Sequence, residues 1–381
     1  MSQNRINELQ SHMADQGIDA FVINDADSIY FFAHVWGYLG MEFGRATIVV
    51  VPREGAPSVI TPAMEAEMVR TMTWVSDVRE WSDGVEREWV GPLDDILKKQ
   101  GAKSVAVEYD KTHPRVLDAL AEVTGRGNIT DQTRIISEIR MIKSASEIAT
   151  MRQAGQVAVA MGEGGRDAIA EGEPEYEVAL AVIAAGTRKA AEFLKDDKDS
   201  YLVSPTIYNL QVMQSGRHTC LVHGRSTTKR FEKGDPVYLC FCGIANFKQF
   251  KLGFDREFFV GSVSDQQARL YETSVKAQQT ALAEVRPGAI AEDINTAAEE
   301  VYLSAGLGNA YRTGRGIGYS FLEEPQLKRG DRTPLQAGMT FAVDGGITIA
   351  GEYGARIGDS IVVTENGFEY LTNMRRELTI V

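Results

Sequence analysis

The feature that most limits the folds open to this chain is a change of texture at about residue 144. Ahead of it, residues 6–15 carry helical spacing closed by Gly17, a residue suited to a C-terminal cap. Strand candidates at 20–23, 46–51, 58–60 and 104–108 then alternate with helical patterns at 64–70, 93–100 and 116–123. That alternation predicts a β/α domain over residues 1–140, a sheet flanked by helices. Beyond it, helical spacing runs through Ile148, Met151, Ala154, Val157 and Ala160, and again over 175–193. A second helical pair follows at 266–285 and 290–305, parted by Pro287 and Gly288. Strand candidates fall at 211–216, 236–242, 247–260, 339–343 and 360–364. Two helix pairs, each leading into strands, predict an internal pseudo-repeat: an α+β domain over 141–381 with a curved antiparallel sheet.

Composition narrows the partners. The chain has 53 acidic against 40 basic residues, a net charge of −13, which disfavours nucleic acid or an anionic membrane surface. Its longest apolar runs are strand-sized, far short of the about 18 residues of a spanning helix. Its first ten residues are polar, without the apolar stretch of a secretory signal, so a cytoplasmic location is expected. Cys220, Cys240 and Cys242 form an odd set and imply no disulfide framework.

Several familiar constellations are missing. No phosphate-binding or dinucleotide-binding glycine pattern sits between a strand and a helix; Gly162, Gly164 and Gly165 fall inside a helical pattern. No Gly-x-Ser-x-Gly elbow occurs. Gly314, Gly316 and Gly318 suit a backbone passing close to a neighbour. The histidines are His12, His34, His113, His218 and His223. With none beyond 223, a metal site in the second domain would lack a histidine from its C-terminal part.

His223, followed by Gly224 and Arg225, suits a loop with room for a ligand. Such a histidine is either an ordinary surface or core group, or a base if a carboxylate orients its ring. Asp255, Glu257 and Asp344 are the candidates, each in or beside an apolar segment where an unpaired charge is costly. Locally, an ion pair such as Asp255 with Arg256 or Lys251 is the simpler reading. Cys240 and Cys242 suit a thiol nucleophile less well than inert strand positions.

The order of several soft motifs resembles one superfamily. Gln214-Ser215-Gly216 through His223 to Lys229, then Gly234-Asp235, Arg286-Pro287-Gly288, the glycines at 314–318, and Gly338-Met339 leading to Asp344 are similar to the pita-bread hydrolases. That superfamily includes aminopeptidase P, prolidase, methionine aminopeptidase and creatinase, and the likeness covers essentially the whole chain. It implies a creatinase/prolidase-type first domain and a pita-bread second domain. Metal-dependent members hold two ions with two Asp, one His and two Glu. Those positions fall here at Cys240 or Cys242, Gly253, Arg315, Asp344 and Gly358, so the resemblance implies neither a metal site nor a cofactor.

The match is closer to creatinase, which works without metal. Its catalytic histidine corresponds to His223. Its substrate-binding Phe-Gly-Arg, which acts across a dimer interface, matches Phe43-Gly44-Arg45. Its guanidinium-binding glutamates fall at Asp255 and Asp344, each one methylene shorter, and its second carboxylate-binding Arg aligns near Leu322. The resemblance therefore implies a homodimer with a shared site, hydrolysing a C–N bond in a small zwitterion that bears a carboxylate and a guanidino, amidine or related cationic group. In that reading His223 is the base, Asp255 and Asp344 hold the cationic nitrogens, and Phe43, Arg45 and Glu257 contact substrate. Arg315 either binds substrate or pairs with Asp344. A lyase on the same scaffold and a catalytically silent peptide-binding module are the alternatives, with a metal-dependent Xaa-Pro peptidase the least favoured.

Overall fold

Short apolar runs in the first part of the chain assemble into one mixed sheet. In this computed structural model, which describes every residue except 1, 37–44, 83, 198–199, 201, 208–211, 242–245 and 309–311, the chain divides into two compact units, Met1–Arg140 and Met141–Val381. The first contains α1 (Ser2–Gln16), β1 (Ala20–Ile23), α2 (Ala26–Ala33), β2 (Ile48–Pro52), β3 (Ser58–Pro62), α3 (Ala66–Met72), β4 (Asp77–Trp81), α4 (Val90–Gln100), β5 (Val105–Val107), α5 (Pro114–Thr124), β6 (Ile129–Asp131) and α6 (Thr133–Met141). The sheet order is β4-β3-β2-β1-β5-β6. Every residue of β1, β2, β3 and β5 is buried; β1, β2 and β5 are apolar without alternation, while β3 also buries Ser58 and Thr61. Leu93 and Ile96 of α4 and Leu120 of α5 share a core with Val22, Ile48 and Val50. The eight residues of α2, rich in Ile, Tyr and Phe, carry no clear helical signal. The cap decides: the Asp25 carboxylate accepts the Ser28 N–H at 3.0 Å.

The second unit contains α7 (Ala145–Ala168), α8 (Glu175–Leu194), β7 (Val212–Ser215), β8 (Pro236–Cys240), β9 (Asn246–Phe247), β10 (Phe250–Lys251), β11 (Asp255–Phe259), α9 (Asp265–Ala283), α10 (Ala291–Ser304), β12 (Gly314–Gly316), β13 (Glu323–Leu327), β14 (Thr340–Ile349), β15 (Tyr353–Thr364) and β16 (Gly367–Tyr370). Eight strands form an antiparallel sheet in the order β13-β12-β14-β15-β11-β8-β7, with β16 on β15. The pseudo-repeat is visible in that order. Strands β7, β8 and β11 follow the first helix pair, β12, β14 and β15 follow the second, and the two sets meet at β11 and β15, where Asp255 lies opposite Gly358. Capping boxes at Ser144 and Ser264 start the first helix of each pair. Ala277 and Ala281 of α9 pack with Phe341, Val343 and Ile361 of the sheet.

Two expectations need correction. The single strand expected over 247–260 is a β9–β10 hairpin, turned by Lys248 and Gln249 at positive φ, followed by β11. The strands expected at 339–343 and 360–364 are the ends of β14 and β15, which pair along ten registered positions. Gly345, Gly346, Gly354 and Gly358 interrupt the apolar pattern of these strands, and close neighbours explain them: a Cβ at 345 would lie 2.2 Å from the Ser274 carbonyl of α9. Among the described residues no helix is long and apolar enough to cross a membrane.

The tightest approach in this unit is at Gly155 of α7, where a Cβ would lie 1.9 Å from the Leu371 carbonyl oxygen. Gly155→Ala is therefore expected to destabilise the second unit by about 1–3 kcal/mol. Denaturant titration reads this as a lower midpoint; an unchanged midpoint would contradict the close approach.

Candidate active site

One rung of the antiparallel sheet crosses four strands. Cys240 on β8 lies opposite Asp255 on β11, Asp255 opposite Gly358 on β15, and Gly358 opposite Asp344 on β14. Directly opposed residues share a face, so register alone brings a thiol and two carboxylates together, with a gap at the glycine. A cavity of about 560 Å³ lies over this row, and His223, Cys240, Asp255, Arg315, Asp344 and Arg356 are among its walls. A Cβ at 358 would lie 2.7 Å from both Asp255 Oδ2 and Asp344 Oδ1, so the two oxygens are at most twice that distance apart.

Arg315 enters from β12. A Cβ on Gly314 would lie 2.4 Å from the Ala342 carbonyl, and one on Gly316 2.8 Å from the Glu323 carbonyl, so β12 is wedged between β13 and β14. The Arg315 side chain is 5% exposed. Its Nη1 donates to Asp344 Oδ2 at 2.5 Å, and Cζ stands 4.2 Å from the Phe321 ring centroid. A Cβ at 253 would lie 3.0 Å from Arg315 Nη2 and 2.4 Å from Ala342 Cβ. The guanidinium thus borders the space that a side chain at 253 would need. Arg315 is thus paired with Asp344.

His223 follows the 3-10 turn Gly216–Cys220 and stands exposed on the cavity rim. Among the described residues no carboxylate bonds to its ring. The turn itself is anchored from β15: Arg356 Nη1 donates to the Thr219 carbonyl at 3.1 Å, and the Gly354 N–H to Thr219 Oγ1 at 3.2 Å. Arg356 Nη2 also donates to Thr348 Oγ1 at 2.9 Å, and its Cζ lies 5.3 Å from the Tyr238 ring centroid.

Glu257, expected to touch substrate, is 1% exposed and absent from the cavity wall, where Tyr238 and Arg356 stand instead. Its Oε2 accepts the Arg356 N–H at 3.1 Å. Burial pushes its carboxyl up to about 8, against the opposing effect of that N–H, so it is protonated at neutral pH. Between the ordinary carboxylate range and about 8 the folded state holds a proton that the unfolded state releases. Stability therefore falls as pH rises through that window. Glu257→Gln should flatten the fall of melting temperature with pH, leaving the share from Glu108 of the first unit, which burial raises to about 7. An unchanged slope would contradict this assignment.

Phe43 and Cys242 lie outside the described residues, and Arg45 precedes β2 in the first unit. Arg356, Tyr302, Arg312, Phe321 and Lys328 also line the cavity but carry no role in the sequence reading. Tyr302 of α10 accepts the Gly346 N–H at 2.7 Å, and burial pushes its hydroxyl up to about 12, so it keeps its proton. A signal for Arg356 existed: an arginine between Ala355 and Ile357, inside a strand hidden by flanking glycines. Arg312, Arg315, Lys328 and Arg356 outnumber Asp255 and Asp344 on the walls, which favours an anionic group in the ligand.

The positions aligned with the superfamily's metal ligands can be tested against this geometry. Gly253 and Gly358 offer no donor, Arg315 presents a guanidinium, and Asp344 is paired with it. Among the described residues no group of three or more His, Cys, Asp or Glu is arranged to hold a metal ion. Two divalent cations need several oxygen or nitrogen donors each. The residues present do not fit them.

A cavity over the antiparallel sheet of a pita-bread domain, in a chain whose first part is a creatinase/prolidase-type domain, places the chain among hydrolase-fold proteins. The chain belongs to metallopeptidase family M24, whose model matches residues 149–365; the Creatinase/Prolidase N-terminal domain model matches residues 5–142. It is 29% identical to an agropine synthesis cyclase of Rhizobium rhizogenes over 97% of this chain and 95% of the relative. It is 26% identical to an Xaa-Pro dipeptidase of Pyrococcus horikoshii over 98% of each chain. A solved dipeptidase from Pyrococcus horikoshii superposes with a TM-score of 0.84 at 26% identity, covering 99% of this chain and 100% of that one.

These relatives overturn the expected activity. Hydrolysis of a non-peptide C–N bond in a guanidino or amidine compound finds no support in relatives named for dipeptides or for a cyclisation. The geometry supplies a physical reason: Asp344, expected to hold a substrate cation, is already committed to the guanidinium of Arg315.

Proposed function

We propose that this chain is an acyl-transfer enzyme that works without a metal ion, opening or closing an acyl bond in a small carboxylate-bearing molecule. The observation that carries this reading is the Arg315–Asp344 pair standing between two glycines where metal donors are needed. The surplus of cationic side chains on the cavity wall suits a carboxylate, which dipeptides and many cyclised amino-acid derivatives carry. A relative named as a cyclase suggests that the attacking group is not always water. In this scheme His223 takes the proton from water, or from a hydroxyl of the same molecule, as oxygen adds to the acyl carbon. It then returns that proton to the leaving group as the adduct collapses.

The test is turnover of a panel of Xaa-Pro and other dipeptides, lactones and hydroxy acids, with a strong chelator and then with added Mn²⁺ or Co²⁺. Turnover unaffected by chelation is expected. Dipeptide cleavage that appears only with added metal would contradict the reading.

A further inference from the structure

Arg315 differs from an ordinary buried ion pair in three respects. Its backbone is pinned, because the glycines on either side lie too close to β13 and β14 for a side chain. Its guanidinium lines the cavity, braced by Phe321 on one face and Asp344 at one edge. And the space beside the pair is the space metal donors would use: a Cβ at 253 would come to 3.0 Å from Arg315 Nη2, and one at 358 to 2.7 Å from Asp344 Oδ1, its partner. Donor side chains there and the pair in its present place compete for the same volume.

We infer that Arg315 is the resident cation of this site, supplying the fixed positive charge that metal ions supply in metal-dependent members of the superfamily. The inference rests on the acyl-transfer reading. As nucleophile oxygen bonds to the acyl carbon and His223 takes its proton, the carbonyl π electrons move onto the acyl oxygen, which becomes an oxyanion against the Arg315 N–H groups. Collapse restores the carbonyl, breaks the bond to the leaving group and returns the proton to it. A charge already fixed before the reaction needs no reorganisation as the oxyanion forms, and removing such a donor costs about 10²–10³-fold in kcat. Lysine lacks the planar fork, so it replaces arginine poorly at such a position.

Two arms test this. On whichever panel substrate the wild type turns over, R315M should lower kcat by about 100-fold or more with KM changed only a few-fold. R315K should recover part of the loss, and R315A should regain rate on adding guanidinium ion at non-denaturing concentration. The double variant R315M/D344N, in which the pair is removed without stranding a charge, should remain slow. Wild-type kcat in R315M or in the double variant would overturn the inference while leaving the acyl-transfer reading intact. The second arm needs no substrate. Titrated with Co²⁺, the wild type should show no ligand-field absorption, whereas G253D/R315H/G358E, which restores donors, should develop it. Co²⁺ bands in the wild type would overturn the inference even if no panel substrate were turned over. Should the triple variant fail to fold, the wild-type titration still decides.

Discussion

His223→Ala is expected to lower kcat by about 10²–10⁴-fold, with little change in melting temperature. The two halves of that expectation have different origins. The ring stands exposed on the rim, and among the described residues nothing bonds to it, so its loss should cost the fold little. The loop that carries it is fixed independently, through Thr219 to Arg356 and Gly354 of β15. A rate loss in a variant with an unaltered melt would thus report on proton transfer rather than on a displaced loop. Unchanged turnover would exclude His223 as the base and return attention to Asp255 and to the Asp344 oxygen that has no hydrogen-bond partner among the described residues.

The largest effect on stability is expected at Asp359, one residue beyond the gap in the active-site rung. Asp359 is fully buried and accepts from Arg256 Nη2 at 2.8 Å, Arg376 Nε at 2.9 Å, Thr372 Oγ1 at 3.0 Å and Gln278 Nε2 at 3.1 Å. Asp359→Ala leaves two guanidinium groups facing an empty pocket, so a loss of about 3–5 kcal/mol is expected. Arg256 also donates to the carbonyls of Asp255 and Gly358 at 2.7 and 2.9 Å, tying the network to the backbone on both sides of the rung. The variant should consequently lose activity below its melting temperature as well. An unfolding free energy from chemical denaturation within about 0.5 kcal/mol of the wild type would contradict this account of the network.

Much of the architecture was legible because it rests on long periodic signals. The four helices of the second unit show their apolar spacing plainly, and the pseudo-repeat follows from their pairing. The strands were legible only where apolar runs are unbroken. In β14 and β15 the glycines that admit α9 and open the cavity are the same residues that mask the strands. Site residues followed the same division. His223, Asp255, Arg315 and Asp344 stood out as charged or titratable groups in motifs, and the cavity collects them. Tyr302, Phe321 and Arg356 contribute through long-range register, which no local pattern encodes. The expected pairing of Asp255 with Arg256 fails for a simple reason: successive strand residues face opposite sides of the sheet, so Arg256 meets Asp359 instead.

The most direct measurement is the metal content of the protein produced with excess Mn²⁺ and Co²⁺ and then desalted, together with its melting temperature before and after adding either ion. A resident guanidinium predicts no stoichiometric metal and no shift in the melt. Metal retained in stoichiometric amount, with a melting temperature that rises with its concentration, would contradict it.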